Sequence, residues 1–398
     1  MLSEIVLYTD KKNCCGCGAC ANICPKNAIS MQEDKSGFIY PHINNDLCIK
    51  CKKCRTVCAF QNTEIKNNPL RTFAAVGKNP SVNRRSASGG IFASLAGQFI
   101  KNGGIVFGAA FDSNWKVNHI RADNTDSLKR LQGSKYVQSS TGKTFSEVKK
   151  LLDNGKKVFY SGTPCQIAGL YGFLGKDYEN LITADLICHG VPNNRMLTEY
   201  IASIEKKENG KIKKFSFRDK SIGWGINGSV IIEKNNSRFK KKLWQSASPY
   251  LYYFSAGWIY RECCYECKYA CEHRPADITL GDYWGIEKAH PEYLGKDGWN
   301  EKNGISVVIA NTEKGVDFIN SYNDCADFRK SDFQSASARN SQLKKPSNSG
   351  KRNEIIEIYT REGWEALEER FNKNTGLRKY SSLVKTLIPQ KIKRILKG

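Results

Sequence analysis

From residue 69 onward the apolar positions follow two alternating rhythms. Short, mostly apolar runs at 72–77, 105–111, 158–161 and 181–187 predict strands. Between them, apolar positions recur at helical spacing over 91–100, 145–152 and 164–174. Ser88-Gly89-Gly90 opens the first of these helices and Asn102-Gly103-Gly104 ends it. The alternation predicts an α/β or α+β layer fold. Further on, 354–371 predicts a helix, and before residue 69 only 37–41 has the look of a short strand-pair end. Apolar stretches such as 104–111 fall far short of the roughly 18 residues a membrane span needs. Residues 1–10 have neither a basic start nor a long apolar run, so no signal peptide is expected.

Composition adds one strong feature, which is 16 cysteines in 398 residues. Without a secretory signal a reducing cytoplasm is expected, which disfavours structural disulfides and leaves metal binding or catalysis. Cys14, Cys17, Cys20 and Cys24-Pro25 form C-x2-C-x2-C-x3-C-P, and Cys48, Cys51, Cys54 and Cys58 repeat it with Ala59 in place of proline. This is the run of two-cluster bacterial ferredoxins, whose fourth cysteine serves the other cluster. The expected 4Fe–4S ligand sets are therefore Cys14, Cys17, Cys20 with Cys58, and Cys48, Cys51, Cys54 with Cys24. Zinc is the alternative, but it uses two C-x2-C pairs or cysteine with histidine, and only His42 is near. Gly16, Gly18 and Ala19 are small, as a backbone wrapped closely on a cluster requires. Cys15 is an extra thiol, expected to be structural, as is the isolated Cys325. Such a module serves as an electron wire.

The net charge is 62 − 39 = +23. A lysine-rich solvated surface accounts for it, with nucleic acid, an anionic membrane and an acidic protein as functional alternatives. Each 4Fe–4S core with four thiolates carries about −2, which offsets part of the excess.

A second chemical centre is expected in the middle of the chain. Ser88-Gly89-Gly90 offers backbone N–H groups and a hydroxyl at a helix start, a phosphate site or an ordinary N-cap. Neither a G-x-G-x-x-G after a strand nor a P-loop is present. In Ser161-Gly162-Thr163-Pro164-Cys165, Thr163 suits N-cap and Pro164 suits the first helical position. Cys165 then lies in the first turn, where the helix dipole favours a thiolate. Cys188 ends the next strand, and adjacent parallel strands share one ligand-collecting edge. Downstream, Cys264 and Cys267 form one C-x2-C clamp without its other half. Cys165 and Cys188 complete a third cubane in one arrangement; Cys263, Cys271 or a zinc ion serve in others.

At these residues the sequence resembles the family of beta subunits of coenzyme F420-reducing hydrogenases and dehydrogenases, in the form with an N-terminal two-cluster ferredoxin. The motifs are residues 84–90, Leu131-Gln132-Gly133-Ser134-Lys135-Tyr136-Val137, 161–168, 185–192 and 264–285, over roughly 10–312 of the chain. The resemblance implies an oxidoreductase with FAD or FMN beside a cluster, since a flavin takes up a hydride and releases single electrons. By resemblance, Ser88, Gly89, Gly90, Ser134, Lys135 and Tyr136 lie near the flavin, with Thr163 and Gln166 as weaker candidates. Cys165, Cys188, Cys264 and Cys267 would hold the adjacent cluster. Ile278-Thr279-Leu280-Gly281-Asp282-Tyr283-Trp284-Gly285 resembles the branch of bacteria lacking the deazaflavin coenzyme, which often accompanies surface-polysaccharide pathways. The implied partners are an electron carrier such as ferredoxin and an unidentified small molecule, or a partner enzyme if the chain is purely an electron-transfer subunit; nucleic acid is not expected. No catalytic acid can be named, and His189 is either a proton shuttle or a structural histidine. The expected division is a cluster module at 1–68, the two parts of a flavin domain at 69–200 and 201–345, and a helix with a basic tail at 346–398, the tail suited to an anionic membrane surface or to a flexible end.

Overall fold

The structure is a computed structural model that describes residues 5–62, 67–295 and 298–380. Most of the basic tail, 381–398, lies outside the described residues, as do 63–66 of the polar stretch that closes the cluster module.

The N-terminal module is built on one antiparallel pair, β1 (Ile29–Glu33) and β2 (Ile39–Ile43), set between the two cysteine runs. Asp34 holds the turn, accepting from the Ser36 and Phe38 N–H groups at 3.0 and 2.9 Å. In the first cysteine loop Gly16 and Gly18 have φ of 68° and 81°; the corresponding places in the second loop are Lys50 at 55° and Lys52 at 62°. Left-handed backbone costs a non-glycine residue about 1–2 kcal/mol. The first loop has no room for a side chain. A Cβ on Gly16 would stand 2.9 Å from Gln138 Nε2, and one on Gly18 would stand 2.7 Å from Thr141 Oγ1.

The larger body alternates strands and helices as expected. Its strands are β3 (Arg71–Gly77), β4 (Ile105–Phe111), β5 (Val117–Ala122), β6 (Val158–Gly162), β7 (Leu181–Leu186), β8 (Lys211–Ser216), β9 (Gly228–Lys234), β10 (Ser237–Leu243), β11 (Ile278–Asp282), β12 (Ser306–Ala310) and β13 (Ala326–Ser331). Eight form one sheet in the order β13-β3-β12-β11-β7-β6-β4-β5, and β8–β10 form a separate antiparallel meander. The pairs β4/β6, β6/β7 and β7/β11 are parallel, and antiparallel strands flank them on both sides. The boundary at residue 200 runs through this sheet, which takes strands from both sides of it. The C-terminal ends of β6, β7 and β11 lie at one edge, and they lead into Thr163-Pro164-Cys165, Ile187-Cys188-His189 and Tyr283-Trp284. The C-terminal helix, Arg352–Thr375, is not continuous: Gly363, with φ 78° and ψ −170°, breaks it.

Helix Pro164–Leu174 joins the two bodies. Gly169 and Gly172 sit in its interior, where alanine would ordinarily be about 1 kcal/mol better. Close approach explains both. A Cβ on Gly169 would be 2.7 Å from Cys17 Sγ, and one on Gly172 would be 2.5 Å from the Val57 carbonyl oxygen. A second joint lies across the sheet edge. Arg274 and Asp185 form a 2.9 Å ion pair with side chains 1% and 0% exposed. Arg274 also donates to the Leu186 and Tyr269 carbonyls, both at 2.7 Å. It thereby fastens the loop after Cys267 to the strand end before Cys188. Burial pushes the Asp185 carboxyl above its ordinary pKa, and the Arg274 charge opposes that shift.

Gly172→Val is expected to destabilise the chain by about 1–3 kcal/mol through overpacking. Gly97→Ala, whose new Cβ would meet only Leu128 at 3.6 Å, is expected to stabilise it by about 0.5–1 kcal/mol. Denaturant melts of the two variants check this pair. Arg274→Met strands a buried carboxylate and is expected to cost about 3–5 kcal/mol, whereas Arg274→Met with Asp185→Leu recovers most of the loss. Equal losses in the single and double variants would contradict the clasp.

Candidate functional site

The thiols fall into three groups. Cys24, Cys48, Cys51 and Cys54 wall one small cavity, so the last cysteine of the first run stands with the first three of the second. Cys51 is exposed and Cys54 buried. Cys14, Cys17, Cys20 and Cys58 make the second group. Burial raises the Cys20 pKa well above the ordinary thiol value, and Cys17, Cys14 and Cys58 push it further. Burial also raises that of Cys58, with Cys17 adding to the effect.

The third group lies between the module and the sheet edge. Cys165, Cys188, Cys264 and Cys267 wall a common cavity together with Cys15 and Cys263. Cys271, the other alternative, is not part of this wall, and its Sγ donates to the Lys268 and His273 carbonyls, both at 3.3 Å. Cys165 occupies the first turn of its helix, after Thr163 at N-cap and Pro164. Its pKa is pulled down to about 7, chiefly by a hydrogen bond from Cys15 and then by Thr163, whose Oγ1 is 3.2 Å from its Sγ. Burial pushes Cys188 and Cys267 up to about 12. Cys15 is buried and hydrogen-bonds both Cys165 and Cys17, so it stands between the second and third groups. Only its position beside Cys14 hinted at this; spacing gave it no partner.

Arg261 links the same two groups. It is 0% exposed. Its guanidinium donates to the Cys14 and Ile39 carbonyls at 2.8 Å each, to Gln138 Oε1 at 3.2 Å and toward Cys14 Sγ at 3.8 Å. It lies 4.0 Å over the Tyr40 ring. Gln138 and Thr141 hold the loop from the other side, donating to the Cys15 and Cys17 carbonyls at 3.1 and 2.7 Å.

A cavity of about 290 Å³ opens at the same sheet edge, near the lower end of ordinary ligand sites. Ser88, Gly90, Ser134, Lys135, Tyr136, Thr163 and Gln166 line it. Gly89 stands behind the wall, where its N–H donates to Ser306 Oγ at 3.0 Å. The Ser88 hydroxyl neither caps the following helix nor stands free, because it donates to the Ile305 carbonyl at 2.8 Å. Lys135 is held inward: its ammonium donates to the Arg130, Leu131 and Gln132 carbonyls at 3.1, 2.9 and 3.0 Å, closing helix Thr125–Leu131. Desolvation lowers its pKa to about 7, while those carbonyls favour the charged form. Gln166 accepts from the Thr163 N–H at 3.0 Å and donates to the Ser139 carbonyl at 2.9 Å. Tyr136 stacks on Phe254 at 4.4 Å and accepts from Arg218, which pairs with Asp282 at 2.8 Å.

Two acceptors in this wall have no hydrogen-bond partner among the described residues, His119 Nδ1 and Gln132 Oε1. His119 Nε2 is 2.9 Å from the Ser161 carbonyl, which can only accept, so Nδ1 is left as a bare acceptor. Burial lowers the His119 pKa to about 4, keeping the ring neutral. An isolated histidine within a strand gives no sequence signal for such a place. Thr163, Cys188, His189, Gly190 and Val191 line both this cavity and the third thiol cavity, so the two share a wall.

The all-thiol groups suit iron–sulfur clusters by donor chemistry. The large cavity, apolar with a few unmatched acceptors, suits a planar organic group carrying N–H or hydroxyl donors.

Residues 155–335 match the C-terminal domain of coenzyme F420 hydrogenase/dehydrogenase beta subunits, and residues 13–62 match a 4Fe–4S dicluster domain. A component of an F420H2 dehydrogenase from Methanosarcina mazei is 23% identical over 162 residues, covering 38% of this chain and 46% of that relative. An uncharacterized protein of Methanocaldococcus jannaschii is 25% identical over 335 residues, 73% of this chain and 86% of that protein. The chain thus spans about half the length of the first relative and most of the second. Among solved structures, a chain of the F420-reducing [NiFe] hydrogenase complex from Methanosarcina barkeri is 14% identical, with a TM-score of 0.43 over 77% of this chain and 92% of that one. No helix among the described residues is long and apolar enough to cross a membrane. By these matches this iron–sulfur protein carries a 4Fe–4S dicluster domain at 13–62, and its residues 155–335 belong to the family of C-terminal domains of coenzyme F420 hydrogenase/dehydrogenase beta subunits.

Proposed function

We propose that the chain is a cytoplasmic iron–sulfur flavoprotein that passes electrons between its N-terminal clusters and FAD or FMN held in the large cavity, and so reduces or oxidises a small molecule. The observation that carries this reading is continuity. Thiol groups lead from exposed Cys51 through the Cys14 loop to Cys15 and Cys165, and the last thiol cavity shares a wall with the large one. In this reading Cys14, Cys17, Cys20 and Cys58 hold one 4Fe–4S cluster, Cys24, Cys48, Cys51 and Cys54 a second, and Cys165, Cys188, Cys264 and Cys267 a third. A bound flavin would supply the exchange between hydride and single-electron chemistry. The chain's own part is to bind and orient. His119 Nδ1 and Gln132 Oε1 accept from the bound group, Tyr136 and Phe254 give an apolar wall, and the Arg218–Asp282 pair braces the mouth.

Beyond this, an electron carrier such as ferredoxin is the proposed protein partner. A place in surface-polysaccharide synthesis rests only on resemblance through residues 278–285. A second reading is supported by relatives named as one component of a larger enzyme or as part of a complex: the chain relays electrons for a partner enzyme without a substrate of its own. Stopped-flow oxidation of the reduced chain by candidate small molecules separates the two.

Anaerobically reconstituted full-length chain is expected to hold about twelve irons and one flavin that denaturation releases. Cys264→Ser is expected to lose about four irons and keep the two N-terminal clusters, read by iron assay and EPR. It should also leave flavin that a substrate can reduce but that no longer exchanges electrons with those clusters. Unchanged iron would move the ligand role to Cys263. His119→Phe removes one acceptor and is expected to weaken flavin binding by up to about tenfold, read by equilibrium dialysis at unchanged iron content.

A further inference from the structure

Three observations meet at the cavity walled by Cys24, Cys48, Cys51 and Cys54. It lies at the surface, with Cys51 exposed and with Leu47 and Ile49 in the same loop 51% and 56% exposed. Lys26, Lys50, Lys52 and Lys53 line the same cavity as the four thiols. Lys26, Lys52 and Lys53 are exposed and form no ion pair among the described residues.

The third observation is the backbone. Lys50 and Lys52 hold the left-handed conformation that glycine holds at the matching places of the first loop. Every other described residue with positive φ is glycine or asparagine, except Trp115. In the first loop the packed neighbours leave room only for glycine. In the second loop glycine would relieve strain at Lys52, an exposed side chain with no ion pair among the described residues, so folding does not explain a lysine there. Strained backbone that folding does not require points to function.

We propose that Lys26, Lys50, Lys52 and Lys53 form a docking collar for an acidic one-electron carrier protein, which exchanges electrons with the cluster held by Cys24, Cys48, Cys51 and Cys54. The apolar pair Leu47 and Ile49 beside a cationic rim fits a protein surface better than a small anion. When electrons enter, the carrier's reduced centre loses one electron and the chain's cluster gains it; no bond or proton moves. This rests on the proposed cluster at those four cysteines and names its partner.

The test uses the full-length chain with clusters reconstituted, and compares K52G/K53S with a control of equal charge loss at exposed lysines, K101S/K157S. Iron content and EPR signals should match the unaltered chain, and the thermal midpoint should not fall. Affinity for a small acidic ferredoxin, measured by calorimetry, should drop at least tenfold for K52G/K53S at low salt, with the difference vanishing at high salt. The control should bind as the unaltered chain does. Reduction by that ferredoxin should slow in proportion, while reduction by a neutral photoreduced deazaflavin should not. Unchanged affinity, an equal loss in the control, or a loss that persists at high salt overturns the proposal. So does a marked fall in thermal midpoint, which would make the lysines structural, or a shifted reduction potential with unchanged affinity. Binding to anionic lipid vesicles that K52G/K53S abolishes, without ferredoxin binding, reassigns the collar to a membrane. Absence of the second cluster's iron from the unaltered chain instead defeats the underlying reading, and is told apart by the iron assay.

Discussion

A single buried cation organises this molecule. Arg261 has no exposed atom, and among the described residues no carboxylate pairs with it. Its guanidinium instead ties the Cys14 loop, the start of β2 and Gln138 together, flat against Tyr40. A buried charge costs several kcal/mol unless its surroundings answer it. Here carbonyls, an aromatic face and the thiols answer it, and Cys263, Tyr40 and Cys14 raise its pKa further above the ordinary arginine value. The effect is mutual: burial pushes the Cys14 thiol up to about 11 and the same charge opposes that rise, while at Cys17 and Cys165 it adds to the lowering that Cys15 chiefly causes. Because Arg261 directly precedes Glu262-Cys263-Cys264, one side chain sets the third thiol group against the first cysteine loop.

Chemistry written in short spacings was legible in the sequence. The doubled cysteine run, the Thr163-Pro164-Cys165 helix start and the strand end at Cys188 depend on neighbours within a few residues, and local backbone geometry fixes them. The central strands were legible for the same reason: β3, β4, β6 and β7 are mostly apolar runs with few exposed positions. Elements whose pattern is mixed were not. β10 is exposed at every position but Leu243 and carries three consecutive lysines, and β13 lies at the sheet's edge. The C-terminal helix looked continuous because Gly363 sits between two stretches with compatible periodicity.

The functional residues that escaped are those defined by something distant. Cys15 matters because Cys165 lies beside it, 150 positions later. Gly169 and Gly172 looked like weak points in a helix until the module they admit was in view. Resemblance put Lys135 beside a ligand, and it does line the cavity, yet its charge closes a helix end. Gly89 turned out to stand behind the wall because a side chain there would strike the Ala75 carbonyl, 2.4 Å from an added Cβ.

The strand order has a consequence for synthesis. β3 is made early, but its partners in the sheet are β12 and β13, more than 200 residues downstream, and β11 must slot in beside β7. The large sheet therefore cannot close until residues 306–331 have left the ribosome. The cysteine loops of 14–58 are made first, while Gln138, Thr141 and Arg261, which hold the first of them, follow later in the chain. All eight cysteines of the doubled run are made well before Cys264 and Cys267 exist, so the third thiol group is the last to be completed.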